Sequence, residues 1–381
     1  MRMLVLGAGQ QGTACAYDLL TQTSHDVVIA DIDVQRLPRL LQPFLGNRLT
    51  AVQADAEEPE SIRAVMEGVD ATMSALPYYF NVAMAMDAID AGSHFCDLGG
   101  NTEIVLEQKL LHERATARGV SVVPDSGLAP GMVNILAEEG IRRLDRPRAV
   151  RIKVGGLPQK PDPPLNYQVV YSLEGVLDYY TTLSWVLRRG APMQVEALSE
   201  VETLHLNGVG ELEAFHTAGG LSTMAQRYQG ILDSMEYKTL RYPGHAAAMR
   251  MMRDLGLFDT TPVDVNGTPM VPRDAFLAIV GPRLRKDPRQ SPDLVALRVE
   301  VSGEMNDRDA TLRWDLVDRF DPATGITAMM RTTGFSLAIT GVLQAEGSIR
   351  PGVWTPDEVV PAEEYVAQLA RRGVDIRFVD E

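Results

Sequence analysis

Near its start the chain carries Gly7-Ala8-Gly9-Gln10-Gln11-Gly12, six residues whose types and spacing can hold a pyrophosphate. They follow the apolar run Met3 to Leu6 and open a helical pattern from Gln10 to Thr21, the strand–turn–helix context that this spacing requires. Gly7 permits the tight turn, Gly9 lets the backbone approach the phosphates, and Gly12 lets the helix pack close to the strand. Gln10 and Gln11 begin the helix, whose free N–H groups and positive end attract anions. Asp31 closes the next apolar run, about twenty residues further on, where a carboxylate can accept hydrogen bonds from a ribose 2′-OH. Its charge opposes a 2′-phosphate, so NAD is the expected cofactor. Asp33 adds to that opposition, although it is first expected as a helix N-cap, and Arg36 counters it. Asp55, after the third strand, is a candidate partner for the adenine. Tyr79, Phe80 and Asn81 follow the fourth strand and are expected along the nicotinamide side, and Ala75 and Leu76 are expected to contact the cofactor.

To hold these residues the first third of the chain must alternate strands and helices. Strands are expected at Met3 to Leu6, Val27 to Ala30, Ala51 and Val52, Ala71 to Ala75, His94 to Leu98 and Val120 to Val123. Helices are expected at Gln10 to Thr21, Val34 to Leu41, Pro59 to Met66, Val82 to Ala91 and Glu103 to Arg118. Alternation of this kind gives right-handed crossovers and a parallel sheet covered on both faces. The pattern changes near residue 150, where β-rich runs (Val150 to Val154, Val295 to Val301, Thr311 to Val317) suit a mixed sheet better. A helical pattern strongest at Gly334 to Leu343 returns near the end. The reading is an α/β chain: a Rossmann-type doubly wound parallel sheet over 1–130 plus 331–381, and an α+β substrate-binding and oligomerisation domain of mixed sheet over 131–330.

The 381 residues include 51 acidic and 36 basic side chains, a net charge of −15. Such a surface repels nucleic-acid phosphates and anionic lipids, so neither partner is expected. Cys15 and Cys96, the two cysteines, are too few and too far apart for a disulfide framework or a zinc site, and buried free thiols are expected. His25, His94, His112 and His205 show no metal-ligand spacing, and no metal is expected. Without a signal peptide pattern or a bilayer-length apolar run, the protein is expected in the cytoplasm.

Several segments resemble the saccharopine dehydrogenase superfamily, and within it most closely the L-lysine 6-dehydrogenases. They are LVLGAGQQG, DLGGNT, PDSGLAPGMVNILA, VGGLPQKPDPPLNYQVVYSLEGVLDYYT, LEAFHTAGGLST, EYKTLRYPGHAAAM and RTTGFSLA, spread over nearly the whole length. The glycine turn is generic, while the middle-domain segments are far more specific. The resemblance implies a nucleotide domain completed by the C-terminal segment, an inserted substrate domain and a homo-oligomer, a dimer or higher. It also implies oxidation of the ε-amine of L-lysine by NAD, giving an aldehyde that cyclises and releasing ammonia. NADP-using saccharopine reductases usually lack an acid at the end of the second strand, so Asp31 moves this chain toward NAD.

Amine oxidation by hydride transfer requires a neutral amine, and a free lysine amine has a pKa of about 10.4, so the pocket must supply a base or desolvation. Asp97 and Asp125 each follow a strand of the first domain, where ligands of such sheets bind. Either can hold an ammonium, and Asp125 can accept its proton. Arg241 can bind the α-carboxylate through two parallel hydrogen bonds, with Arg331 as the substitute. His245 and His216 are candidate proton carriers. Lys153 becomes a candidate base if it faces inward. Glu174 is a second carboxylate for the substrate ammonium, and Thr217 and Tyr237 complete the expected substrate contacts. Three other readings stand beside this one. A saccharopine dehydrogenase or reductase acts on saccharopine or 2-aminoadipate semialdehyde and needs a more basic pocket, and a superfamily relative acting on polyamines needs a more acidic one. A non-catalytic NAD(H) sensor binds the dinucleotide without turnover.

Overall fold

The computed structural model describes residues 1–380, with Arg36 described through its backbone alone. Two compact units are present: the first is 1–142, 222–224 and 330–376, and the second is 143–221, 225–329 and Arg377 onward. Helix Met132–Arg143, which the expected boundary at 130 gives to the second domain, belongs to the first unit through Arg142.

In the first unit the chain runs β1 (Arg2–Leu6), α1 (Gln10–Gln22), β2 (Asp26–Asp31), β3 (Leu49–Gln53), α2 (Pro59–Met66), β4 (Ala71–Ser74), α3 (Asn81–Ala91), β5 (His94–Asp97), α4 (Thr102–Lys109), α5 (His112–Arg118), β6 (Ser121–Val123) and α6 (Met132–Arg143). The sheet is parallel throughout, in the order β3-β2-β1-β4-β5-β6, with strand Gly352–Val353 added beyond β6. This is the doubly wound Rossmann-type arrangement. Met3 to Leu6 are all buried, as a central parallel strand covered on both faces requires.

The C-terminal helix Ala328–Ala345 completes this unit, and small residues let it come close. A Cβ on Gly334 would sit 2.6 Å from the Ala14 Cβ, and one on Gly341 would press on the Met73 side chain. Gln344 then donates to the carbonyls of Phe95 (2.9 Å) and Ser121 (3.0 Å), tying the helix to β5 and β6. Further on, Arg372 holds Asp18 of α1 by two hydrogen bonds of 2.7 and 2.9 Å, with both side chains buried. Burial pushes the Asp18 carboxyl up to about 6 against the opposing pull of Arg372.

Two expected helices differ. In place of a helix over Val34 to Leu41 there are single turns at Val34–Arg36 and Gln42–Phe44. Pro38 lacks a donor and forces Leu37 to an extended ψ of 131°. Asp33 makes no side-chain cap bond to the first of these turns, and the Arg36 side chain lies outside the described residues. The helix expected over Glu103 to Arg118 is two, α4 and α5. The chain tightens between them into three-residue hydrogen bonds, Leu110 to Glu107 and Leu111 to Gln108, beside the buried Gln108.

The second unit is built on a mixed sheet in the order Glu202–Leu206, Gly210–His216, Ser234–Arg241, Arg146–Pro158, Asp293–Met305, Arg308–Arg319 and Arg377–Asp380. Ser184–Arg188 and Ala191–Val195 extend it to nine strands. Only the pairing of Ser234–Arg241 with Arg146–Pro158 is parallel. One face carries Phe215 and buries the apolar sides of helices Leu173–Thr181, His245–Asp254 and Pro272–Leu284. The other face is charged. Across it His216, Lys238, Lys153, Arg298, Asp315 and Arg377 are successive partners in register on six strands, and partners in register share a face. Cys15 and Cys96 are buried free thiols. Among the described residues no helix is long and apolar enough to cross a membrane.

The Asp18–Arg372 pair generates a stability prediction. Arg372→Met leaves Asp18 buried without its counter-charge and is expected to cost about 3 kcal/mol. Adding Asp18→Asn is expected to restore most of the loss. Urea unfolding of the single and double variants measures both, and a double variant as unstable as Arg372→Met would contradict the account.

Candidate active site

The glycine turn has the geometry that its spacing predicts. Gly7 has a φ of +92° and donates to the Ala30 carbonyl at 2.7 Å. A Cβ on Gly12 would collide with the Gly7 carbonyl, so only glycine lets α1 start there. Gly9 faces open space, and no side chain caps α1. Gln11 keeps Nε2 and Oε1 buried without partners at the same helix end. A cradle with free N–H groups and unsatisfied polar atoms fits an anionic group such as a dinucleotide pyrophosphate. The Ala75 carbonyl and Leu76 lie against Gly7.

Asp31 accepts from the N–H groups of Ala8 (2.6 Å) and Asp33 (2.9 Å). It lines a cavity of about 340 Å³ with Leu6, Ala30, Ala54, Ile62, Leu76 and Phe80, and the same wall includes Asp55, Glu57 and Tyr79. Asp55 is turned partly inward to accept from the Glu57 N–H at 2.9 Å. Three carboxylates therefore line this cavity, and among the described residues no basic side chain does. Tyr79 and Phe80, expected along the nicotinamide, and Leu76, expected to contact the cofactor, line the cavity with Asp31. Asn81 is buried and accepts from the Ser74 hydroxyl at 3.0 Å, so its side chain fastens β4 to α3 instead of facing a cofactor.

At the carboxyl ends of β5 and β6 lie two buried acids. Asp97 is fully buried and accepts from Gly99 N–H and Gln108 Nε2, both at 2.7 Å. Desolvation raises it to about 6 even so. Asp125 is 1% exposed, has a φ of +60° and accepts from Gly100 N–H at 3.2 Å. Burial raises it to about 7; the Ser222 hydroxyl pulls it down, while Asp97 and Asp357 push it up. No basic group is among the largest influences on either acid. Gln108 Oε1 and Ser222 Oγ are buried there without full hydrogen bonds. Uncompensated buried acids with unsatisfied neighbours suit an ammonium ligand and proton transfer near neutrality.

The second unit holds the converse. Arg241 is 3% exposed, stacks on the Tyr167 ring at 4.9 Å, and donates to the Leu240 carbonyl at 2.9 Å. Among the described residues no carboxylate pairs with it, and Arg241 Nε and the Tyr167 hydroxyl are buried without partners. Such a guanidinium suits a ligand carboxylate. His245 lies beside it, with Nδ1 at 3.1 Å from the Leu165 carbonyl and Nε2 at 3.0 Å from the Tyr180 hydroxyl. Burial and then Arg241 hold its pKa at about 3. His245 is therefore neutral at ordinary pH and orients Tyr180; it is not the expected proton carrier. Tyr237, Thr239 and Arg241 alternate onto this same face of their strand. Thr217 Oγ1 lies 2.7 Å from Thr239 Oγ1.

Four other expected residues serve structure. Lys153 shares Glu202 with Lys238, at 3.1 and 3.3 Å. Its register with Lys238 puts it on the sheet face opposite Arg241, a choice that alternation in sequence cannot make. His216 is on that charged face too, with Nδ1 at the Tyr237 carbonyl and Nε2 3.2 Å from Glu200. Glu200, His216 and Glu236 bring possible ligand atoms within 4.8 Å of one another. Arg188 already supplies a cation there, 2.8 Å from Glu200 and 2.9 Å from Glu236. Glu174 is exposed at a helix start. Arg331 caps the helix Ala362–Arg371 by donating to the carbonyls of Arg372 and Gly373. Sequence reasoning missed Gln108, Ser222 and Asp357. The Thr355-Pro356-Asp357-Glu358 capping box marks a helix start but carries no sign that Asp357 is buried.

Comparison with known proteins divides the chain near residue 125. The family model described as the saccharopine dehydrogenase NADP binding domain matches residues 3–123, and that of the saccharopine dehydrogenase C-terminal domain matches 127–374. An alpha-aminoadipic semialdehyde synthase of Arabidopsis thaliana is 24% identical over 74% of this chain and 27% of its own. A saccharopine dehydrogenase [NADP(+), L-glutamate-forming] of Schizosaccharomyces pombe is 22% identical over 68% of this chain and 58% of its own. The chain thus spans between about a quarter and three-fifths of the length of these relatives. The solved structure of the L-Glu-forming saccharopine dehydrogenase from Saccharomyces cerevisiae has the same fold, with a TM-score of 0.81 and 17% identity over 100% of this chain and 99% of that one.

The two buried acids generate a pH-dependent stability prediction. Their folded pKa values, about 6 and about 7, exceed the ordinary aspartate value of 3.8. A raised acid adds stability while protonated and loses that contribution as pH rises through its folded pKa. Asp125→Asn should therefore match the parent near pH 4 and exceed it by about 2–4 kcal/mol above pH 7. Urea unfolding across this range reads the difference, and equal stability at pH 8 would contradict an uncompensated buried charge.

Proposed function

The chain belongs to the saccharopine dehydrogenase family, and on that footing we propose that it is an NAD-dependent oxidoreductase that oxidises the ε-amine of L-lysine to the 6-semialdehyde, which cyclises, with release of ammonia. The observation that carries this reading is the pair of buried acids at the ends of β5 and β6, which suits an ammonium ligand. L-Lysine carries two amines, and a buried carboxyl can hold either one as an ammonium.

A nicotinamide dinucleotide, when bound, supplies the hydride acceptor. The glycine turn and the start of α1 would hold its pyrophosphate, and Asp31 its ribose. We infer NAD from the three carboxylates that line the Asp31 cavity, because a 2′-phosphate would meet like charge there. Asp125, ionising near 7, accepts the proton that the substrate ammonium must lose. The Cε–H bond then breaks with its electron pair leaving as hydride, while the nitrogen lone pair forms the C=N bond. Water adds to that carbon and gives a proton to a carboxylate; the carboxyl returns it to the nitrogen, and the C–N bond breaks to release ammonia as the hydroxyl loses its proton to the carboxylate and the C=O bond forms. Arg241 binds the substrate α-carboxylate, and Tyr167 and Tyr180 shape its surroundings.

The relatives named as saccharopine dehydrogenase favour a second reading, action on saccharopine. Saccharopine carries three carboxylates, and the other basic side chains near Arg241's strand, Lys153, Lys238 and Arg188, are tied to glutamates. That weighs toward lysine. A sensor that binds NADH without turnover is the third outcome.

NADH formation with purified protein, NAD and L-lysine, with ammonia released in step, is the expected result. Turnover of saccharopine alone would move the protein to the second reading, and tight NADH binding without any turnover would make it a sensor. Arg241→Ala should raise the KM for lysine roughly 100-fold and leave that for NAD within about twofold. Equal rises in both would remove Arg241 from the carboxylate. Asp31→Ser should lower the preference for NAD over NADP by roughly tenfold or more; an unchanged ratio would mean that Asp31 does not meet the ribose.

A further inference from the structure

On the charged face of the second unit's sheet, four side chains from four separate stretches of chain converge. Arg188 ends the strand Ser184–Arg188, Glu200 lies in the loop before Glu202–Leu206, His216 ends Gly210–His216, and Glu236 is within Ser234–Arg241. Arg188 is in register with Ser234 and His216 with Lys238, so alternation along Ser234–Arg241 puts Glu236 on the same face as both. The loop that carries Glu200 is fastened to these strands. Leu198 N–H donates to the His216 carbonyl at 2.8 Å, His216 N–H donates to the Ser199 carbonyl at 3.2 Å, and Lys238 Nζ donates to the Glu200 carbonyl at 2.9 Å. Glu200 sits there at φ +48°, a conformation that side chains seldom adopt.

The His216 ring is fully buried. Its Nδ1 lies 3.1 Å from the Tyr237 carbonyl, which can only accept, so Nδ1 carries the hydrogen and Nε2 the electron pair. That electron pair faces acceptors: Nε2 is 3.2 Å from Glu200 Oε2 and 4.0 Å from Glu236 Oε2. A second hydrogen on the ring is opposed by Arg188, whose guanidinium nitrogen Nη2 is 3.5 Å from Nε2. This nitrogen has two hydrogens, and Glu200 at 2.8 Å and Glu236 at 2.9 Å claim both. Among the described residues the electron pair of Nε2 is therefore left without a donor, on a buried side chain aimed between two carboxylates. Metal-binding histidines are oriented in the same way, by giving their other ring N–H to a backbone carbonyl.

We propose that Glu200, His216 and Glu236 form a site for one divalent transition ion of the zinc class, and that Arg188 is the cation which such an ion displaces. One imidazole nitrogen and two carboxylate oxygens suit zinc better than magnesium or calcium, which take oxygen ligands. The three ligand atoms lie within 4.8 Å of one another. Atoms about 2.1 Å from one ion are at most about 4.2 Å apart, and the Glu200 side chain, 51% exposed, is free to close that difference. Two carboxylates and a neutral imidazole balance a divalent charge, whereas Arg188 balances only half of it. Once displaced, Arg188 has somewhere to go, since it is partly exposed and lines an open hollow together with Asp233. The ion would pin the Glu200 loop to two strands. The site belongs to the second unit alone and does not depend on the amine-oxidation reading.

Calorimetric titration of the full chain with zinc chloride, after removal of metal by a chelator, tests the site. One equivalent is expected to bind with a Kd of about 10 μM or below. Glu236→Gln and His216→Gln should each weaken binding by roughly 50-fold or more, because each removes one of three ligands. Arg188→Gln should tighten it by about tenfold, because it removes the competing cation. In protein labelled with ¹⁵N-histidine, one equivalent of zinc should move the Nε2 resonance of His216. A Kd above about 1 mM overturns the proposal. So does zinc bound in several weak equivalents that the substitutions leave unchanged, which is adventitious surface binding. Affinity unchanged or weakened in Arg188→Gln overturns the displacement. Where His216→Gln does not fold, the parent resonance decides: movement with one equivalent upholds the ligand, and a constant position overturns it.

Discussion

Charge without a counter-charge, removed from water, is the constraint around which both units are arranged. A fold can keep such a group only if hydrogen bonds and surrounding structure offset its desolvation. Where this chain needs charge for cohesion it pairs it: Asp18 with Arg372, Lys153 and Lys238 with Glu202, Arg188 with Glu200 and Glu236. Where it leaves charge unpaired, neighbouring N–H groups, carbonyls and rings take up part of the cost. Asp97 and Asp125 rest on backbone amides of the Gly99-Gly100 turn, and Arg241 rests on a carbonyl and a tyrosine ring. The contrast separates groups that hold the fold together from groups the fold holds for another purpose.

The same contrast explains why histidines and lysines were poor guides. His245 and His216 have the residue type of a proton carrier, but each is buried with both ring nitrogens engaged. Burial disfavours the imidazolium in both. Carboxyls respond to burial in the opposite sense. Desolvation moves an aspartate toward neutral pH and an imidazole away from it, so in this chain the groups poised to exchange protons are acids.

Local rules read much of the first unit from sequence. The glycine turn, the parallel strands and the acid at the end of β2 depend on contacts within a few residues or on periodicity, and they are where the spacing put them. The turn at Val34–Arg36 was legible too, since Pro38 forbids the helix expected there. Other features depend on partners that no local pattern specifies. Lys153 alternates along its strand with Ile152 and Val154, and only its register with Lys238 decides its face. Arg331 looks like a carboxylate ligand until the carbonyls of Arg372 and Gly373 are brought to it from forty residues away. Asp357 carries no signal of its own, because its importance is that chain closure delivers it near Asp125.

Cofactor choice shows how a family-wide description and a single position can differ. The glycine turn recognises the pyrophosphate, which NAD and NADP share, so a match to an NADP binding domain rests mostly on residues that do not distinguish the two. Discrimination falls to the side chains around the ribose. There Asp31 is held by two backbone amides and lines its cavity with Asp55 and Glu57. A carboxylate fixed by two N–H donors is costly to turn aside, so it stays where, on the proposed reading, a 2′-phosphate would have to sit. Two more acids on the same wall make a compensating rotation of Asp31 of little use to such a ligand. The preference proposed for NAD thus depends on the charge of one cavity wall, whereas the capacity to bind a dinucleotide depends on three glycines, and either can change without the other.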